Sequence, residues 1–438
     1  IKSTFEIGEK IQDSYWSKVL KVDLKELTTE QILELKVFFE IKRNNETVIF
    51  ENDNFKGIKT EFRCYYSENG LPYPPDWFCG EPHFHSNFTS DQVEFGSDIV
   101  STVTLAKAMG MNWFFVTDHS YDLDDAEGNY LKNDKNFPKW TKMLSEANKS
   151  DENDFRVIAG EEVSIGNSKR QNVHLLVVNN KKFVAGCGDS AEKWFHCRPQ
   201  NFLAEMKKFQ AKFPETLLIA AHPQEKVPLL QKILLCRGNW SEIDYLQSGI
   251  RFLQIVNNAN LKDVEKVVSY WKNLLLKGYK FYILAGNDAH GNFNIMRQIK
   301  IPFWKLFTSQ KQVFGKFHTV FHFSRNDPIQ GIKNGEIIIS NGPFLSFNLE
   351  IHGEKNPIGS TTFGGKKAKI FFEANTTEEF GEISDISLFI GDFLKKRERE
   401  IGQPKNGDEI VLPEKGYLRM SLSTSNNGRT YTNPIWIE

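Results

Sequence analysis

The stretch Gly80-Glu81-Pro82-His83-Phe84-His85-Ser86 decides how this chain is read. Side chains of an extended segment alternate between faces, so His83 and His85 project the same way and offer two imidazoles to one point. Four later segments each run from an apolar, strand-like stretch into residues that ligate metals. Trp113-Phe114-Phe115-Val116-Thr117 leads into Asp118-His119, and Val157-Ile158-Ala159-Gly160 into Glu161-Glu162. Leu218-Ile219-Ala220-Ala221 leads into His222-Pro223, and Tyr282-Ile283-Leu284-Ala285-Gly286-Asn287 into Asp288-Ala289-His290. His174, just before Leu175-Leu176-Val177-Val178, is a further candidate, equally readable as a histidine at the core edge.

Working outward, residues 79–315 alternate short buried strands with helical stretches. Helices are expected over Ser97–Met109, Trp194–Phe213 and Leu261–Lys277, the last ending at Gly278. Strands separated by helices imply βα units and a largely parallel sheet, open or closed into a barrel, with ligand sites at the carboxyl ends of the strands. Residues 1–78 read as β structure, with a strand at Leu35–Lys42, a turn at Asn44-Asn45 and a short capped helical turn at Thr28–Gln31. The Pro-rich stretch Gly70–Asp76 suits a linker. Residues 316–438 return to β patterns, at Phe317–Phe323, Ile337–Phe344, Ala368–Ala374, Ile386–Ile390, Tyr417–Ser423 and Pro434–Ile437. Gly-rich turns between them suggest an antiparallel sandwich. The two β regions form either one sandwich with the central unit inserted, or two separate units.

At 438 residues the chain has room for two or three domains. Its net charge of -1 gives no general attraction to nucleic acid or anionic membranes, and no apolar run reaches the roughly 18 residues of a membrane span. A soluble protein follows, with the cytoplasm favoured over export. The start at Ile1 implies that an upstream segment has been removed, and a lost leader would change that compartment. Five scattered cysteines make no disulfide framework. They are taken as isolated thiols, with a Cys187–Cys197 bridge as the alternative and Cys79 as a buried small hydrophobe.

Imidazole nitrogen and carboxylate oxygen together suit zinc, manganese or iron. Adjacent strand residues face opposite ways, so only one of Glu161 and Glu162 can enter the site, and the Gly-x-Glu spacing favours Glu162. In Asp118-His119, His119 is taken as a ligand and Asp118 as the acceptor that fixes an imidazole tautomer.

In this order, His-x-His, Thr-Asp-His, Gly-x-Glu, a lone His, His-Pro and Asp-x-His resemble the signature of the PHP (polymerase and histidinol phosphatase) superfamily. The resemblance implies an α/β fold, a distorted (β/α)7 PHP-type barrel, here flanked by N- and C-terminal antiparallel β-sandwich regions. It also implies two or three divalent ions. His83, His85, Glu162 and Asp288 would surround one, His119 and His290 would hold a second bridged by Glu162, and His174 and His222 would serve a third. Asn287–Asn294, Ser340-Asn341-Gly342-Pro343 and Thr432-Asn433-Pro434-Ile435-Trp436 resemble the CehA/McbA branch. The chain departs from the pattern at Ser90, where the family places a further ligand; a one-residue bulge would bring in Asp91 instead.

Metal-bridged hydroxide cleaving a small phosphomonoester or phosphodiester is the expected chemistry, with Asp118 orienting and Arg297 meeting a phosphate at the barrel mouth. Hydrolysis of a carboxylic or carbamate ester is the alternative within enzymes. A metal-stabilised binding module, using some of the 36 Phe, 9 Trp and 12 Tyr as stacking platforms, is the alternative outside them.

Overall fold

Trp113-Phe114-Phe115-Val116 is apolar throughout because strands flank it on both edges and cores cover both faces. Phe114 and Val116 join Phe84, Ile99 and Phe155 in one core, while Trp113 and Phe115 join Leu176, Ile219 and Phe321 in another. In this computed structural model the described residues are all but 1, 12–15, 52–60, 90–93, 95, 189–196, 258–259, 291–295, 301–304 and 310–311. At 296–300 and 305–309 the backbone alone is described.

A single 15-stranded sheet organises the molecule. From one edge it runs Tyr282–Ala285, Phe252–Val256, Leu217–Ala221, Asn172–Val178, Arg156–Gly166, Trp113–Val116 and Trp77–Phe84. Within this half, Asn172–Val178 alone is antiparallel to its neighbours, since it returns directly from Arg156–Gly166 with no crossover helix. The sheet then continues antiparallel through His318–His322, Ile337–Ser340, Arg429–Thr432, Gly416–Thr424, Ile383–Asp392 and Arg397–Gly402. It therefore crosses residue 315 without a break.

The architecture is mixed α/β with a curled half-barrel sheet. A strand has two edges, and those of Trp77–Phe84 are taken by Trp113–Val116 and His318–His322. The curl closes only at its carboxyl end, where Phe84 bridges Ala289. There His85 N donates to Ala289 O at 3.1 Å and Ala289 N to His83 O at 3.2 Å. The edge of Tyr282–Ala285 is covered by side chains instead. Ala285 N donates to Thr319 Oγ1 at 2.9 Å, and Ile283 N to Asn433 Oδ1 at 2.7 Å.

Close approach governs Gly80. A methyl group there would lie 2.1 Å from Trp113 O, so only glycine lets these two strands meet.

Helix Ile99–Ala108 begins where Asp98 accepts from Ser101 N at 2.8 Å, and helix Leu261–Leu276 where Asn260 accepts from Lys262 N. The second buries Val264, Val268, Trp271 and Leu275, spaced three to four residues apart, and stops before Gly278 at φ +88°. The helix expected from Trp194 begins at Leu203, after Phe202; Trp194 itself lies outside the described residues. Helix Pro138–Ser150 has no counterpart in the sequence reading, because Trp140, Met143 and Ala147 are a thin stripe among charged residues. In place of the helical turn at Thr28–Gln31, Gln31–Leu35 is a strand paired with Phe62–Tyr66.

Thr361–Thr362 and Ile435–Ile437 complete the long sheet off its main path, and four further C-terminal strands form a second sheet in the order Glu354–Pro357, Phe344–Ile351, Lys367–Asn375, Glu409–Val411. Its Leu345, Phe347 and Leu349 share a core with Leu388, Ile390, Leu418 and Met420 of the long sheet. Among the described residues, the strands before residue 70 pair only with each other. No helix of the described residues is long and apolar enough to cross a membrane.

Candidate metal centre

The centre lies where the curl closes. His83 is the penultimate residue of strand Trp77–Phe84 and His85 follows that strand, both fully buried. Glu162 enters from the middle of Arg156–Gly166 and His174 from the antiparallel neighbour. His222 follows directly on its strand, while His119, Asp288 and His290 sit in the short segments just beyond theirs. His222 and Asp288 take left-handed backbone, at φ 28° and 50°, which non-glycine residues tolerate only where the surroundings impose it.

Three groups of side chains present ligand atoms within 4.8 Å of one another: His83, His85, Glu162 and Asp288; His85, His119 and His290; and Glu162, His174 and His222. Glu162 divides its oxygens between them. Its Oε2 is 3.4 Å from His83 Nε2, 3.3 Å from His85 Nε2 and 3.0 Å from His119 Nδ1. Its Oε1 is 2.7 Å from His174 Nδ1 and 3.1 Å from His222 Nε2. Asp288 Oδ1 lies 3.3 Å from His83 Nε2 and 3.1 Å from His85 Nε2, while its Oδ2 accepts from Gln312 Nε2 at 3.1 Å.

The donor set fits divalent ions. Glu162 Oε2, Asp288 Oδ1, His119 Nδ1 and His290 Nε2 are buried without a hydrogen bond among the described residues, an arrangement that burial penalises unless a cation satisfies it. Each carboxylate is anchored through one oxygen and offers the other to the same imidazoles.

The imidazoles are oriented from behind. Gln254 Nε2 donates to Gly286 O at 2.8 Å, which leaves its Oε1 to accept from His83 Nδ1, also at 2.8 Å. His83 Nε2 therefore presents its lone pair to the centre. Thr89 Oγ1 donates to Asp118 Oδ1 at 2.8 Å and so accepts from His85 Nδ1 at 3.1 Å. His222 Nδ1 faces Glu225 Oε2 at 2.9 Å.

Electrostatics follow the same map. Burial pushes the Glu162 carboxyl up, but His174, His83 and His119 outweigh it and hold the group well below the usual range. Asp288 is likewise held well below, burial being outweighed by the neighbouring His83 and His85. Burial and the His119 charge oppose protonation of His85, yet the facing Asp288 and Glu162 carboxylates raise it to about 9. His290, dominated by burial and by His85, falls to about 4. Such a net of carboxylates holding protons on imidazoles is one in which a metal ion replaces the protons.

The structure thus brings His83, His85, His119, Glu162, His174, His222, Asp288 and His290 together. Glu161 points the other way, accepting from Val184 N at 2.8 Å and from Asn180 Nδ2, and burial pushes its carboxyl well above the usual range. Among the described residues Asp118 bonds to no imidazole directly. It accepts from the Ser86 and Thr89 amides and hydroxyls, so it shapes the loop behind His85 and acts on that ring through Thr89. Asp91 lies outside the described residues, as do the side chain of Arg297 and residues 291–294 of the Asn287–Asn294 motif. Cys79 sits in the apolar core with its thiol donating to Gly110 O.

Sequence reasoning missed Glu94, whose Oε2 is 2.9 Å from His119 Nε2 and 3.6 Å from His290 Nε2. It also missed Gln254, Glu225 and Arg237. Gln254 carried a signal, being the one polar residue in Phe252-Leu253-Gln254-Ile255-Val256. The others lie on connecting segments with no periodicity to mark them. His174, His222, Glu225, Arg237 and Trp240 wall a small cleft beside the centre.

No family model matches this chain, and no curated protein matches it. One solved structure is a two-domain protein from Bacteroides vulgatus ATCC 8482, described as containing a predicted PHP-like metal-dependent phosphoesterase. It is 11% identical, covering 85% of this chain and 100% of its own, at a TM-score of 0.32. That likeness is too slight to carry an argument, and the chemistry rests on the residues themselves.

Proposed function

We propose that this protein is a divalent-metal-dependent hydrolase whose substrate is a small phosphomonoester or phosphodiester. The observation that carries the reading is the pair of buried, unbonded oxygens, Glu162 Oε2 and Asp288 Oδ1, both within 3.4 Å of His83 Nε2 and His85 Nε2. His83, His85, Glu162 and Asp288 would hold one ion; His119 and His290, with Glu94 beside them, would hold a second. When bound, such ions act as Lewis acids and lower the pKa of a bound water to about 7 in the best zinc cases.

The chain's own residues supply position and charge. Gln254 and Thr89 fix which nitrogen each imidazole presents, and Asp118 holds Thr89 in place. Arg237 opens on the cleft beside the centre, and a guanidinium matches the oxygens of a phosphoryl group. This favours a phosphoester over a neutral carboxylic ester.

A panel of nitrophenyl phosphates and nitrophenyl esters, with manganese or zinc added, tests the proposal. Phosphate ester turnover is expected. Ester turnover with every phosphate untouched would assign the protein instead to carboxylic or carbamate ester hydrolysis. Activity unchanged in both His119→Ala and Asp288→Ala would make it a binding module.

A further inference from the structure

Arg237 stands at the third group of ligand atoms. One of its terminal nitrogens lies 2.5 Å from His174 Nε2, and the other is 3.9 Å from Glu225 Oε2. Its side chain is only 15% exposed, so the guanidinium is packed against this corner and not waving over it.

A guanidinium only donates and stays charged at any pH the protein survives. His174 Nε2 must therefore accept from it. The ring's own proton then sits on Nδ1 and is donated to Glu162 Oε1 at 2.7 Å. Both nitrogens of His174 are used, and no lone pair faces Glu162 or His222. Placing a cation on Nδ1 would move the proton to Nε2, leaving two donors facing each other at 2.5 Å. It would also set a dication beside a fixed positive charge.

Resting on the metal-centre reading above, we infer that Arg237 keeps a third divalent ion out of the Glu162–His174–His222 corner. The chain then binds two ions, and the guanidinium supplies that corner's positive charge on the cleft side. His174 becomes a positioning residue that ties down Glu162 Oε1, so that Oε2 is the oxygen turned to the ions.

The test is metal stoichiometry at saturation, by elemental mass spectrometry after equilibration with zinc or manganese. Wild type should hold two ions per chain, and Arg237→Met and Arg237→Gln should each take up a third. Three ions on wild type, or two on both variants, overturns this inference and leaves the metal centre standing. No ion on wild type overturns the metal centre, and this inference with it. Should neither variant fold, the wild-type count decides: two supports the inference and three refutes it.

Discussion

Gln254 Oε1 accepts a hydrogen bond from His83 Nδ1 at 2.8 Å, with the amide's own nitrogen anchored on Gly286 O. The strand Phe252–Val256 thereby sets the lone pair of a histidine 171 residues away. Partners of this kind are worth about 10–100-fold in metal affinity. Gln254→Leu should weaken metal binding by that range with little loss of secondary structure. Competition against a fluorescent chelator measures it, and unchanged affinity would remove Gln254 from the account.

Asp118 provides a second, indirect case. It accepts from two amides and two hydroxyls in the loop behind His85, all buried. Asp118→Ala leaves those donors unsatisfied at about 1–3 kcal/mol each if nothing replaces them. The expected outcome is a lowered melting temperature together with weaker metal loading. His119→Ala, by contrast, should weaken loading at near-normal stability in the metal-free protein. Thermal melts with and without metal separate the two patterns.

Metal affinity should fall with acid. In the metal-free centre His85 is raised to about 9, so below that pH a proton must leave before the ring can ligate. Affinity is then expected to rise by about tenfold per pH unit, for each proton displaced, from pH 6 up to about 9, and to level off above. Calorimetric titrations in buffers of different ionisation enthalpy count the protons released. A flat profile would contradict the charge map.

How far the sequence alone reached is clear from where each residue sits. His83 and Glu162 stand in strands, where the two-residue alternation announces direction, and His222 directly after one. Glu94, Glu225 and Arg237 come from connecting segments, which carry no such period. Gln254 was marked by its neighbours yet passed over, since a polar residue in a buried strand has more than one explanation. The curl's incomplete closure could not be read either. It depends on His318–His322 taking an edge of Trp77–Phe84 from more than 230 residues downstream. A separation of 150 residues likewise hides Asn433, noticed as part of a motif but not as the cap of Ile283.

That cap gives a stability prediction. Asn433 accepts from Ile283 N at 2.7 Å and donates to Ile283 O at 2.9 Å and to Ile337 O at 3.2 Å, all buried. Asn433→Leu strands these backbone groups and should destabilise the fold by at least about 2 kcal/mol. Urea denaturation checks it. A smaller effect would mean that the edge of Tyr282–Ala285 is held by other means.

Diffraction from crystals of untreated protein, collected at metal absorption edges, tests the central claim most directly. The account predicts anomalous peaks enclosed by His83, His85, Glu162 and Asp288 and by His119 and His290, at about 2.0–2.2 Å from their nitrogens and oxygens if the metal is zinc. Featureless anomalous maps at both positions, from protein never exposed to chelator and supplied with metal, would contradict it.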